Sequence, residues 1–134
     1  MKLLKTIAAA VLALSVQTAF AAETVVPFTE AAKYYTQTKT VEGTIVGTFC
    51  DDKRCFLNFH EDYKNNLSAV IDAADFAKFS KATGKAVKAD MDKMYTGKKV
   101  QITGMLTEYK SKTDGKGRPQ INVTDAKNIK VVVK

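Results

Sequence analysis

From residue 40 onward, apolar positions recur with two different periods, and the switches between them mark out the elements. In TVEGTIVGTFC, Val41, Gly43 and Ile45 alternate with Glu42, Thr44 and Val46 in a run rich in β-branched residues, which predicts a first strand from Thr40 to Cys50. Gly43 and Gly47 inside it point to a bulge or sharp coil, the means by which one strand bends to serve two sheets. A second strand is predicted from Cys55 to His60 and, after the polar turn around Asp62 to Asn66, a third from Leu67 to Ile71. The period then lengthens. Asp72 stands at an N-cap position and Phe76, Ala77 and Phe79 share one helical face, which predicts a helix from Ala73 to about Lys81. Gly84 breaks it, and Val87, Met91 and Met94 predict a second short helix. Alternation returns in Lys99 to Thr107, a fourth strand, and in Pro119 to Thr124, a fifth with Ile121 and Val123 inward. Between them runs a hydrophilic connector from Glu108 to Arg118, while Ile129 to Val133 extends the fifth strand or adds a short last one. Upstream, Pro27 to Gln37 predicts a short helix capped by Thr29.

Three meandering strands, a helix and a final hairpin give an all-β chain with helical additions, in the order of a five-stranded Greek-key OB-fold barrel with its helix between strands three and four. That helix is expected to plug the barrel bottom through Phe76 and Phe79, and the short N-terminal helix to pack over a barrel end. An open α+β sheet is the alternative, at the cost of long exposed strand edges.

The first residues change the chemical setting. Lys2 and Lys5, an apolar run from Ile7 to Val16, and Ala19-Phe20-Ala21 have the parts of a signal peptide covering residues 1–21, leaving one domain from 22 to 134. The apolar run is shorter than the roughly 20 residues that cross a bilayer, so no stable membrane insertion is expected after cleavage, and the expected location is periplasmic or secreted. In an oxidising setting the two cysteines of Cys50-Asp51-Asp52-Lys53-Arg54-Cys55 are expected to form a disulfide across a hairpin. Four intervening residues in a turn do not suit a thiol–disulfide oxidoreductase, and two cysteines with one histidine do not make a structural zinc site. Charge is unevenly spread: residues 22–72 carry 5 basic and 8 acidic side chains, residues 73–134 carry 14 and 6, so the second half is positive enough to suit an anionic partner. The lysines at 78, 81, 85, 88 and 93 fit a solvated helix face, with an anion-binding ridge as the alternative.

The segments TVEGTIVG, CFLNFHEDYKNNLSAVI, YTGKKVQITGMLTEYK and GRPQINVTDAKNIKVV resemble small bacterial secreted or nuclease-associated OB-fold proteins described as nucleic-acid-binding. The resemblance runs from about Tyr35 to Val133 and is most specific at Phe56-Leu57-Asn58-Phe59 followed by Glu61-Asp62-Tyr63. It departs from that pattern at His60, where glycine is usual, and in a longer segment 80 to 95. The barrel it implies is also similar to that of staphylococcal-type nucleases, but no matching set of aspartates and paired arginines is present.

In such a barrel a ligand lies across strands two and three, between the loops joining strands one to two and four to five. The first loop offers Lys53 and Arg54, offset by Asp51 and Asp52; the second offers Tyr109, Lys110, Lys112, Lys116 and Arg118, against Glu108 and Asp114. Cations for phosphates and an aromatic face for bases are what single-stranded nucleic acid requires. If Leu57 and Phe59 are buried, alternation turns Phe56, Asn58 and His60 to the ligand side. His60 has neither an activated nucleophile nor a metal partner, and Glu61, Asp62 and Asp72 lack calcium-loop spacing, so neither catalysis, cofactor nor metal is expected. The expectation is a non-catalytic module for single-stranded nucleic acid or another polyanion; the alternative is a protein- or peptide-interaction or envelope-stress module using the same groove.

Overall fold

The computed structural model describes residues 24–132. The leader, its cut after Ala21 and the last two residues lie outside the described residues. The strands are β1 (Val25–Pro27), β2 (Thr38–Thr44), β3 (Gly47–Cys50), β4 (Arg54–Asn58), β5 (Ser68–Asp72), β6 (Lys99–Lys110), β7 (Gly117–Asn122) and β8 (Ile129–Val131). Two α-helices, α1 (Phe76–Thr83) and α2 (Val87–Tyr95), stand between β5 and β6. Neither is long and apolar enough to cross a membrane.

All eight strands join one mixed sheet in the order β1-β2-β6-β7-β5-β4-β3, with β8 also pairing β6. The hairpins β3–β4 and β6–β7 and the pair β4–β5 are antiparallel; β5 and β7 run parallel, Ala69 opposite Ile121. β6 carries the most pairing. Its first half faces β2 from Thr44↔Lys99 to Thr38↔Met105, and its second half faces β7 from Met105↔Asn122 to Lys110↔Gly117. At the handover stands Gly104, where an added Cβ would sit 2.4 Å from the carbonyl oxygen of Asn122. Only a residue without a side chain lets β6 bend this close to the end of β7.

Among the described residues there are eight strands where the sequence predicts five. The predicted first strand is two, because the chain changes partners at Ile45 and Val46: Ile45 N–H donates to the Lys98 carbonyl, Val46 N–H to that of Asn58. The two ends of a curved strand thereby serve different neighbours. Gly43 is explained by close packing, since a Cβ there would meet the rings of Phe28 and Phe59 at 2.7 Å. The predicted short N-terminal helix is a 3-10 helix over Phe28–Tyr34 with Pro27 at its N-cap position and no side-chain cap, so the Thr29 cap is not formed; Phe28 stacks on Phe59 at 5.4 Å between centroids. Asp72 does stand at the N-cap position, but its side chain makes no cap bond. A 3-10 turn over Ala73–Asp75 comes first, and α1 starts at Phe76 and ends at Gly84, whose φ of 72° and N–H to the Ser80 carbonyl close it.

One apolar cluster holds these elements. Val41, Leu57, Ile71, Ile102, Leu106 and Ile121 come from the sheet, Ile45 from the link between β2 and β3, Phe79 from α1 and Val87, Met91 and Tyr95 from α2. Fully burying side chains of this size contributes about 1.5–3 kcal/mol each. Phe76 packs against the cluster from its margin. Burial of Leu57 and Phe59 turns the alternate residues of β4 outward.

Candidate functional site

The outward face is assembled on the β3–β4 hairpin. Cys50 and Cys55 are direct cross-strand partners joined by a disulfide, with Cα atoms 4.0 Å apart. That rung sets the next: Phe49 lies opposite Phe56, their rings stacked with centroids 6.5 Å apart at 28°. Phe49 is 59% exposed, an unusual degree for a phenylalanine, and Phe56 beside it is half-buried. Across the sheet, Asn58 faces Ser68 on β5, which faces Gln120 on β7. Phe49, Phe56, Asn58, Tyr63 and Arg118 line a recess of about 380 Å³ on this face.

Arg118 is its organising residue. It lies opposite Tyr109 in the β6–β7 hairpin, and its guanidinium carbon is 5.3 Å from the centroid of the Tyr109 ring and 6.0 Å from that of Tyr63. Nη1 donates to the Tyr63 backbone carbonyl and, at 3.3 Å, to Ser68 Oγ. Ser68 is only 1% exposed and sits 2.7 Å from Asn58 Oδ1. On the far side of Arg118 a second recess of about 210 Å³ is lined by Lys64, Tyr109, Ser111, Asp114 and Lys116, among others. An aromatic recess and a cation-bearing one thus share one wall. Asp114 holds the connector by accepting the Lys116 N–H at 2.9 Å, a bond that holds its carboxyl below the usual carboxylate range.

The expected site residues do not all converge. Phe56, Asn58, Tyr109, Lys116 and Arg118 do, on one face. Lys110 and Lys112 sit exposed at the β6–β7 tip and line neither recess, Lys110 alternating to the opposite side of β6 from Tyr109. Lys53 is exposed in the β3–β4 turn, where Asp51 accepts the Arg54 and Lys53 N–H groups at 2.9 and 2.8 Å; the first of these contributes most to lowering the Asp51 pKa. Arg54 is drawn to Asp72, its Nε 3.9 Å from the carboxylate and without a hydrogen-bond partner, and Asp52 pairs with Lys88 of α2. Of the two cations of the first loop, Arg54 is drawn to Asp72, whereas the Lys53 side chain stays exposed and only its backbone N–H is engaged. His60 is a turn residue, its Nδ1 accepting the Asp62 N–H at 2.9 Å. Among the described residues no cluster of three or more His, Cys, Asp or Glu is placed to hold a metal ion.

Phe49, Tyr63, Lys64 and Ser68 belong to the face and escape the sequence reading. Phe49 had a signal: if Cys50 pairs with Cys55, the antiparallel register puts residue 49 opposite 56. Nothing local marks Tyr63, which Arg118 holds across a sequence separation of 55.

The sequence matches no family model and no curated protein. Solved structures do resemble it. The aspartyl-tRNA synthetase of Entamoeba histolytica superposes with a TM-score of 0.56 and 14% identity, over 82% of this chain and 21% of its own. A protein described as an aspartyl-tRNA synthetase of Leishmania major Friedlin gives 0.50 and 11%, over 84% and 21%. The likeness is one of fold, to structures that bear an OB-fold. This chain spans about a fifth of the length of either.

Proposed function

We propose that this chain is a non-catalytic OB-fold module that binds single-stranded nucleic acid, or another polyanion, across β4, β5 and β7. The observation that carries the reading is the shared wall: stacking surfaces at Phe49, Phe56 and Tyr63 on one side of Arg118, and Lys64 and Lys116 on the other. Bases stack on aromatic rings while phosphates seek cations, and here the two lie side by side. Both structural neighbours are named for tRNA, which makes a nucleic acid the partner class of first choice. In this reading β2 and β3 are halves of one strand. The path β2-β6-β7-β5-β4-β3 then returns on itself through Ile45 and Val46, as a five-stranded Greek-key barrel requires. Residues 1–21 act as a signal peptide, and the module works in the periplasm or outside the cell, where its disulfide persists.

The test is fluorescence anisotropy of a labelled single-stranded oligonucleotide between about 25 and 150 mM salt. Affinity should fall with salt with a log–log slope near −2 if about three phosphates are neutralised, each contributing about −0.7. Absence of binding at the lowest salt refutes the proposal. The exposed phenylalanine pair favours one other reading, a groove for a peptide or protein partner. Charge reversal of Lys64 and Lys116 separates the two: polyanion binding collapses, whereas a contact centred on Phe56 and Asn58 persists.

A further inference from the structure

The polar groups at the recess are ordered by a relay of hydrogen bonds, and the relay has a direction. Arg118 Nη1 can only donate, so Ser68 Oγ accepts from it. The Ser68 hydroxyl proton is then directed to Asn58, 2.7 Å away, which fixes the Asn58 end there as Oδ1. One lone pair of that amide oxygen is taken by a residue almost wholly buried, which holds the amide in this orientation. What remains at the recess from Asn58 is the Nδ2 amide, a donor, and what remains from Arg118 is guanidinium N–H, also donors. The other lining residues are Phe49, Phe56 and Tyr63, of which the rings supply flat apolar surface. A flat ligand that brings its own acceptors matches the donors that Asn58 and Arg118 hold out, with the Tyr63 hydroxyl able to give or take a hydrogen bond beside them.

Resting on the reading of this face as a single-stranded nucleic-acid site, we infer that the recess selects bases carrying a keto oxygen: thymine or uracil over cytosine, and guanine over adenine. In this inference the pyrimidine ring lies against Phe49 and Phe56 with its C4 corner toward Asn58 and Arg118. Uracil and thymine place a carbonyl oxygen there, which accepts. Cytosine places an amino group there, donor against donor, and both partners lose water without gaining a bond. The discrimination comes from the relay and not from charge alone, since phosphate contacts are blind to the base.

The experiment uses 5′-labelled (dT)8, (dU)8 and (dC)8 with the wild-type protein at one fixed low salt, followed by Asn58→Asp. These three homopolymers self-stack weakly, and dU controls for the thymine methyl. One or two hydrogen bonds gained or lost predict (dU)8 and (dT)8 binding about 3- to 10-fold more tightly than (dC)8. In Asn58→Asp one carboxylate oxygen still accepts from Ser68 and the other turns the recess corner into an acceptor. The preference should then vanish or invert toward (dC)8, with overall affinity reduced by the added negative charge and the salt slope retained. Equal binding of (dU)8 and (dC)8 by the wild type overturns the inference while leaving the nucleic-acid site standing, and so does a preference that survives Asn58→Asp. Binding of none of the three at any salt overturns the site itself and the inference with it. The wild-type comparison needs no variant, so a folding defect in Asn58→Asp does not shelter the claim.

Discussion

Replacing Gly104 by alanine should damage this fold far more than the same change at Gly47. At Gly104 the new Cβ would lie 2.4 Å from the Asn122 carbonyl oxygen and 3.1 Å from Ile121 Cγ1, against the 3.4 Å or more of an ordinary contact. About 1 Å of movement is needed, and the obstacle is backbone. Asn122 is paired to Met105 on β6 and to Val70 on β5, so it cannot retreat without loosening two ladders at once. Overpacking of this kind costs about 1–3 kcal/mol, and one or two weakened ladder hydrogen bonds add about 1 kcal/mol each. The reduced entropy of the unfolded chain returns about 0.4–1 kcal/mol. The net loss is about 2–4 kcal/mol, or a fall in Tm of roughly 8–16 °C for a domain of this size. Gly47 has nothing within 4 Å of an added Cβ and serves as the control, with a change within about 0.5 kcal/mol. The chain has no tryptophan, so urea unfolding is followed by far-ultraviolet circular dichroism and tyrosine emission. Gly104→Ala unfolding within 0.5 kcal/mol of Gly47→Ala, with the same urea dependence, would refute the close approach of β6 and β7.

Gly43→Ala should fall between these two, costing about 1 kcal/mol, because the obstructing atoms are ring edges of Phe28 and Phe59 that can shift; the same urea series checks it. Replacing both Cys50 and Cys55 by serine should cost about 2 kcal/mol, the chain-entropy value for so short a loop, read as a drop in the urea midpoint relative to wild type under oxidising conditions. Phe56→Ala should weaken oligonucleotide binding by about 5- to 100-fold, the worth of one stacked base, with the salt slope unchanged in the anisotropy titration. The carboxyls of Asp51, Asp114 and Asp125 titrate lower in the folded chain than their ordinary 3.8, each chiefly through a backbone N–H bond. Groups of this sign stabilise the fold above the unfolded pKa, so stability should hold down to about pH 4 and decline as pH falls through the lowered values. Asp51→Asn should flatten that decline in acid-titration melts.

The parts of the fold that were legible in the sequence are those set by local alternation. Leu57 and Phe59 inward with Phe56 and Asn58 outward, Ile121 and Val123 inward, and the helical face of Val87 and Met91 all follow from period alone. What escaped depends on partners distant in the chain. Ile45 and Val46 look like ordinary strand residues, and only Lys98 and Asn58 decide that the strand turns there. β1 is three residues ending in proline and exists because β2 offers it a parallel edge from Val25↔Thr40 onward. At the site, the basic composition of the two loops points to both as binding elements. The structure separates them, because Asp72 draws Arg54 aside and Lys53 lines neither recess, while the second loop reaches the aromatic recess through Arg118 and the adjoining one through Tyr109 and Lys116.

The cross-strand sulfur bridge lies between the tip of its hairpin and the two phenyl rings. A covalent tie at that level should hold the rings at their spacing when the side chains of the turn residues 51 to 53 change, while Arg54 already belongs to β4. Such a tip is a natural place for divergence among related chains, and for an engineer it is a handle to which an epitope, a dye or a second recognition loop can be attached without disturbing the platform beneath.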